Sequence, residues 1–73
     1  MLNKLCEMLN NKYYAEYYDE GIHLYFGEKD VHVWYENNES IGVYLYDDEE
    51  CDESKIFTVI HDAYSYIDNF LEN

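Results

Sequence analysis

Between Tyr13 and Tyr46, apolar and polar residues alternate with a period of two, and short polar clusters interrupt the pattern. This is the pattern of half-buried strands joined by tight turns. In a first strand over 13–18, Tyr13, Ala15 and Tyr17 share one face, while Tyr14, Glu16 and Tyr18 share the other. Asp19-Glu20 followed by Gly21 predicts a type I turn with a glycine bulge. The next strand, 22–26, turns Ile22, Leu24 and Phe26 inward and His23 and Tyr25 outward. After the turn "GEKD", a strand over 31–36 points Val31, Val33 and Tyr35 inward and His32, Trp34 and Glu36 outward. "NNES" turns the chain into a strand over 41–46, with Ile41, Val43 and Leu45 inside and Gly42, Tyr44 and Tyr46 outside. Enrichment in β-branched and aromatic residues supports all four strands, and the short loops make them an antiparallel meander.

The flanks have helical spacing. Leu2, Leu5, Met8 and Leu9, with Cys6 beside them, predict a short helix over 2–11 that stops at Asn10-Asn11. Ile56, Ile60, Ala63, Ile67, Phe70 and Leu71 predict a longer amphipathic helix over 54–71, flanked by Phe57 and Tyr64 and capped by Asp52 or Ser54. The stretch 47–53 reads as an acidic loop. The expected fold is a single α+β domain over 1–73, with both helices on the aliphatic face of a four-stranded sheet. The opposite face then presents Tyr14, Glu16, Tyr18, His23, Tyr25, His32, Trp34, Tyr44 and Tyr46. Six of these nine are Tyr or Trp. Tyrosine tolerates exposure and favours strands, but an aromatic face of this extent predicts a contact surface, for a partner or for a second copy.

Charge narrows the choice. Seventeen acids against four lysines, and no arginine, give a net charge of −13. A hydrophobic content of 48% with ten tyrosines excludes a disordered acidic tail. The balance argues against direct binding to nucleic acid or an anionic membrane and favours basic partners. No signal peptide is legible, and no run nears the roughly 20 apolar residues of a membrane span. The expectation is a cytoplasmic protein with Cys6 and Cys51 reduced.

Specific chemistry finds little support. "DDEECDE" lacks the glycine and ligand phase of a calcium loop. His23, His32, His61, Cys6 and Cys51 show no zinc spacing, although His23 and His32 are expected as diagonal cross-strand neighbours. No nucleophile has a base at a recognisable spacing, and carboxylates around Cys51 oppose a reactive thiolate. The reading is therefore not an enzyme, with no metal and no cofactor. Capping the last helix would use one or two carboxylates, yet six of the seven residues Asp47–Glu53 are acidic. A globule of this length spans roughly 30 Å, over which duplex DNA carries about eighteen charges. A net charge of −13 lies within a factor of about two of that density.

In charge and element order, "MLNKLCEMLNNKYY", the meander through "IGVYLY" and "DDEECDESKIFTVIHDAYSYIDNFLEN" together resemble small acidic phage-encoded inhibitors, in particular anti-CRISPR proteins that occupy the DNA-binding surface of a Cas nuclease. The resemblance implies a noncatalytic nucleic-acid mimic that binds a basic cleft of a nuclease or CRISPR effector. In that reading Asp47, Asp48, Glu49, Glu50, Asp52 and Glu53 stand in for phosphates, and Trp34, Tyr44 and Tyr46 are packing anchors. Two alternatives share the composition. One is an immunity protein or antitoxin for a nuclease toxin. The other is a small structural or adaptor protein that dimerises through the aromatic face.

Overall fold

The computed structural model describes residues 1–72. A helix, α1 (Leu2–Asn10), precedes five strands, β1 (Ala15–Tyr18), β2 (Gly21–Phe26), β3 (Lys29–Tyr35), β4 (Ile41–Asp47) and β5 (Glu50–Phe57), and α2 (Ile60–Glu72) follows them. The strands form one antiparallel meander in chain order.

The fifth strand corrects the expected four. Asp47–Glu53 is not a loop: Asp48 and Glu49 form a two-residue turn, and the chain returns along β4 as β5. The expected helix over 54–71 accordingly begins only at Ile60, so Asp52 and Ser54 lie in β5 and do not cap it. The physical reason lies in the position of β5. It is an edge strand exposed along nearly its whole length, so it needs no alternation of apolar and polar residues. Ile56, Phe57 and Ile60 also fall at helical spacing, which extended the apparent stripe of α2 backwards.

The turns differ too. Asp19 and Glu20 both take positive φ, 53° and 60°, and Tyr18 pairs directly with Gly21. This is a two-residue turn of the type I′ kind, without the predicted bulge. Strand β3 begins at Lys29, two residues before expectation, which leaves Gly27-Glu28 as a two-residue turn with positive φ at Gly27 alone.

The core follows the predicted phase. Ile22, Leu24, Val31, Val33, Ile41, Val43 and Leu45 are buried together with Leu2, Leu5 and Leu9 of α1 and Ala63, Ile67 and Leu71 of α2. Helix α1 packs on β1 and β2, α2 packs on β4 and β5, and the helices touch each other. Each buried aliphatic side chain contributes about 1.5–3 kcal/mol. Three expected inward residues, Tyr17 in β1 and Phe26 and Tyr35 at the ends of β2 and β3, are exposed.

Polar contacts tie the helices to the sheet. Asn10 donates to the Ala15 carbonyl (2.9 Å) and accepts from the Ala15 N–H (3.0 Å), standing in for a strand partner beside β1. Lys29 donates to the Phe70 carbonyl in the last turn of α2 (2.7 Å), where a cation suits the helix dipole. Lys12 pairs with Asp68 (3.0 Å) and Glu72 (2.7 Å), and Tyr13 donates to both carboxylates.

Candidate partner-binding face

The register sets out the uncovered face in rows. Nearest the Gly27-Glu28 and Asp48-Glu49 turns, Tyr25, Asp30, Tyr46 and Cys51 lie directly across from one another. Two positions further along comes the row Glu16, His23, His32, Tyr44 and Ser54. The last row contains Tyr18, Gly21, Trp34, Gly42 and Ile56. Aromatic rings alternate with short side chains in the first and last rows.

The short residues are short for a reason. A Cβ at Gly21 would collide with the Trp34 ring, and one at Gly42 would collide with the Glu36 carboxylate. Trp34 therefore lies over the backbone of β2. Glu36 folds over β4, where it accepts a hydrogen bond from the Tyr44 hydroxyl. That bond holds the Tyr44 pKa above its ordinary value.

Beneath the rings sits a histidine pair. His23 and His32 are directly opposite, not diagonal as expected from the sequence. Their rings are 5.1 Å apart between centroids. Tyr18 stacks on His23 at 4.2 Å, and Trp34 meets it edge-on at 5.0 Å. His23 is only 7% exposed, and its Nε2 has no hydrogen-bond partner among the described residues. Burial, and then the neighbouring His23, push the His32 pKa down.

The acidic run spreads over two places. Asp47, Asp48, Glu49 and Glu50 form the tip of the β4–β5 hairpin, and the Asp48 N–H donates to the Glu28 carbonyl at 3.0 Å. Gly27, Glu28, Asp30, Asp48 and Glu49 line a depression of about 250 Å³ between the two turns. Asp52 and Glu53 continue along β5. Glu53 pairs opposite Leu45 on the helix-bearing side and accepts from the Tyr66 hydroxyl there. Burial, and then that bond, push the Tyr66 pKa up. Of the three expected anchors, Tyr46 is one row from the tip. Trp34 is five residues along β3 from the tip row, about 17 Å at strand rise. The structure thus brings Tyr46 to the carboxylates and leaves Trp34 at the far end.

Among the described residues, the lysines avoid this face. Lys4 and Lys12 belong to α1 and the segment after it, and Lys29 reaches α2. Lys55 lies over Phe57 and Tyr66 on the helix-bearing side. Among the described residues, only Asp68 and Glu72 form ion pairs with a lysine.

Glu28, Asp30 and Glu36 are expected from the sequence only among the acids of the connections that ring the sheet, not as site residues. Asp30 was readable, because the outward phase of His32 and Trp34 extends back to it. Cys6 is buried, Cys51 is exposed, and both are free. Among the described residues no three His, Cys, Asp or Glu side chains converge as a metal-binding group, and no helix is long and apolar enough to cross a membrane. Comparison with known proteins finds no family model, no curated protein and no solved structure that matches the chain.

Proposed function

We propose that this chain is a noncatalytic acidic inhibitor that mimics nucleic acid and occupies the basic cleft of a nuclease or DNA-binding protein, such as a CRISPR effector. The observation that carries the reading is the distribution of charge. Carboxylates project from the turns at both ends of the sheet and along the edge strand β5, around an aromatic face that carries no lysine among the described residues. The longest dimension is 30 Å. A length of duplex that size carries about eighteen phosphates, against a net charge of −13 here. A hairpin and an edge strand of exposed acids suit broad contact with a positive groove better than chemistry at one centre.

The test is inhibition of purified CRISPR effector nucleases, read as cleavage of their own DNA. Replacing Asp47, Asp48, Glu49 and Glu50 by Asn or Gln should raise the half-inhibitory concentration about tenfold or more. A change under about twofold in an inhibited nuclease removes that block as the contact.

A second reading rests on Tyr18, Tyr25 and Ile56, which are 50%, 52% and 61% exposed on the open face. These residues could pair with a second copy. In that case changing Trp34 and Tyr44 to serine should convert dimers to monomers in sedimentation, and an unchanged profile eliminates the dimer. Two faces with the same excess of negative charge repel, which favours the basic partner.

A further inference from the structure

We propose that the open face selects arginine over lysine, seating a guanidinium of the basic partner on Asp30 between Tyr25 and Tyr46. The inference rests on the basic-partner reading above and names the side chain that this surface fits.

The row Tyr25–Asp30–Tyr46 places a short carboxylate on the central strand β3, directly between two tyrosines on β2 and β4. Two strand spacings, about 9.6 Å, separate the two strands that carry the tyrosines, and Asp30 lies on the strand between them. His32 closes the back of the notch, with its ring 6.3 Å from Tyr25 and 5.1 Å from Tyr46 between centroids. The front opens onto the depression lined by Glu28, Asp48 and Glu49. The floor is therefore negative, the three walls are aromatic, and among the described residues no lysine of this chain reaches in. Burial, and then the neighbouring His23, push the pKa of the His32 back wall down, which disfavours a second cation there. The Tyr25 pKa is raised, by desolvation first, then by Tyr18 on the β1 side and then by Asp30 across from it.

A planar, delocalised and weakly hydrated guanidinium can stack on a tyrosine while its N–H groups pair with a carboxylate. An ammonium has no plane to stack and must give up a tighter hydration shell. A surface built from charge alone would not distinguish the two.

The experiment compares oligoarginine and oligolysine peptides of equal length at equal ionic strength. Affinity is read by calorimetry and contacts by amide chemical-shift changes. Oligoarginine should bind about tenfold more tightly and shift the resonances of Tyr25, Asp30 and Tyr46. In the Tyr25→Ser/Tyr46→Ser variant the preference should vanish while oligolysine affinity stays within about twofold, because no charge has changed. Asp30→Asn is a second probe, which should weaken oligoarginine and leave both tyrosines in place. Equal affinities for the two peptides, or a preference that survives loss of both tyrosines, would overturn the arginine notch and leave the basic-partner reading standing. If neither peptide bound at low salt, both would fail.

Discussion

Asp48 and Glu49 hold φ at 53° and 69°, and Asp19 and Glu20 at 53° and 60°. An L-residue with a side chain costs about 1–2 kcal/mol in that region, so both acidic turns fold against a local penalty. Glu49→Gly creates the preferred Asp-Gly pair of a type I′ turn and removes one charge from a crowded tip. It should stabilise the protein by about 1 kcal/mol in urea unfolding; destabilisation would contradict the turn geometry. Gly21 shows how a residue can be visible in the sequence yet misread. Its place after Asp19-Glu20 suggested a bulge, but the glycine is needed because Trp34 crosses it, and a tertiary contact of that kind leaves no mark in the local pattern. His32 offers a pH test. Its pKa is depressed by burial and by His23, so the unfolded chain takes up the proton first, near the ordinary value of 6.5. The stabilisation is complete above that pH and declines as pH falls through it, until the folded ring also protonates. Wild type should therefore lose stability relative to His32→Gln between about pH 7.5 and about pH 5.5 in thermal melts. A difference that stays flat across the window would remove His32 as its source.

Strands β2, β3 and β4 were legible because each has one face in the core and one uncovered, which forces an alternation of apolar and polar residues. Strand β5 has no such requirement. It pairs with β4 alone, and its residues Glu50–Ile56 are exposed, so its sequence reflects the need to keep an edge unattractive to other strands. The same acids that led the sequence reading to a loop are suited to that need. At the other edge, β1 is four residues long, and Asn10 supplies part of the pairing that a further strand would give. Asn10→Ala removes both bonds to Ala15 and leaves that backbone partly buried. It should cost about 1–3 kcal/mol in chemical denaturation. A loss under about 0.3 kcal/mol would show that water replaces the side chain at little cost.

Taken as a whole, the described lysines are confined to one side of the molecule, whereas carboxylates occur on both. The lysines serve the helices and the helix-bearing side, where Lys12 links to Asp68 and Glu72 and Lys29 to the end of α2. Carboxylates ring the other side, where no lysine lies among the described residues. The excess of like charge works against compactness, so raising salt from low levels to about 0.3 M should increase the melting temperature by screening it. A decrease would mean that the few ion pairs outweigh the repulsion. The candidate surface was legible in outline: the acidic run, Trp34, Tyr44 and Tyr46 could all be named from the sequence. Their grouping could not, because it depends on β5, on the start of β3 at Lys29, and on which turns share an end of the sheet. The central claim is that this surface replaces nucleic acid in a basic cleft. Its most direct test is capture on the immobilised protein from bacterial lysate at physiological salt, with a wash at about 0.3 M, followed by elution with nucleic acid. The account predicts one stoichiometric nucleic-acid enzyme that survives the wash and is released by its own DNA or RNA. It should not be captured once Asp47, Asp48, Glu49 and Glu50 are neutralised. A scatter of basic proteins that all leave in the wash, or a partner that nucleic acid does not displace, would contradict it.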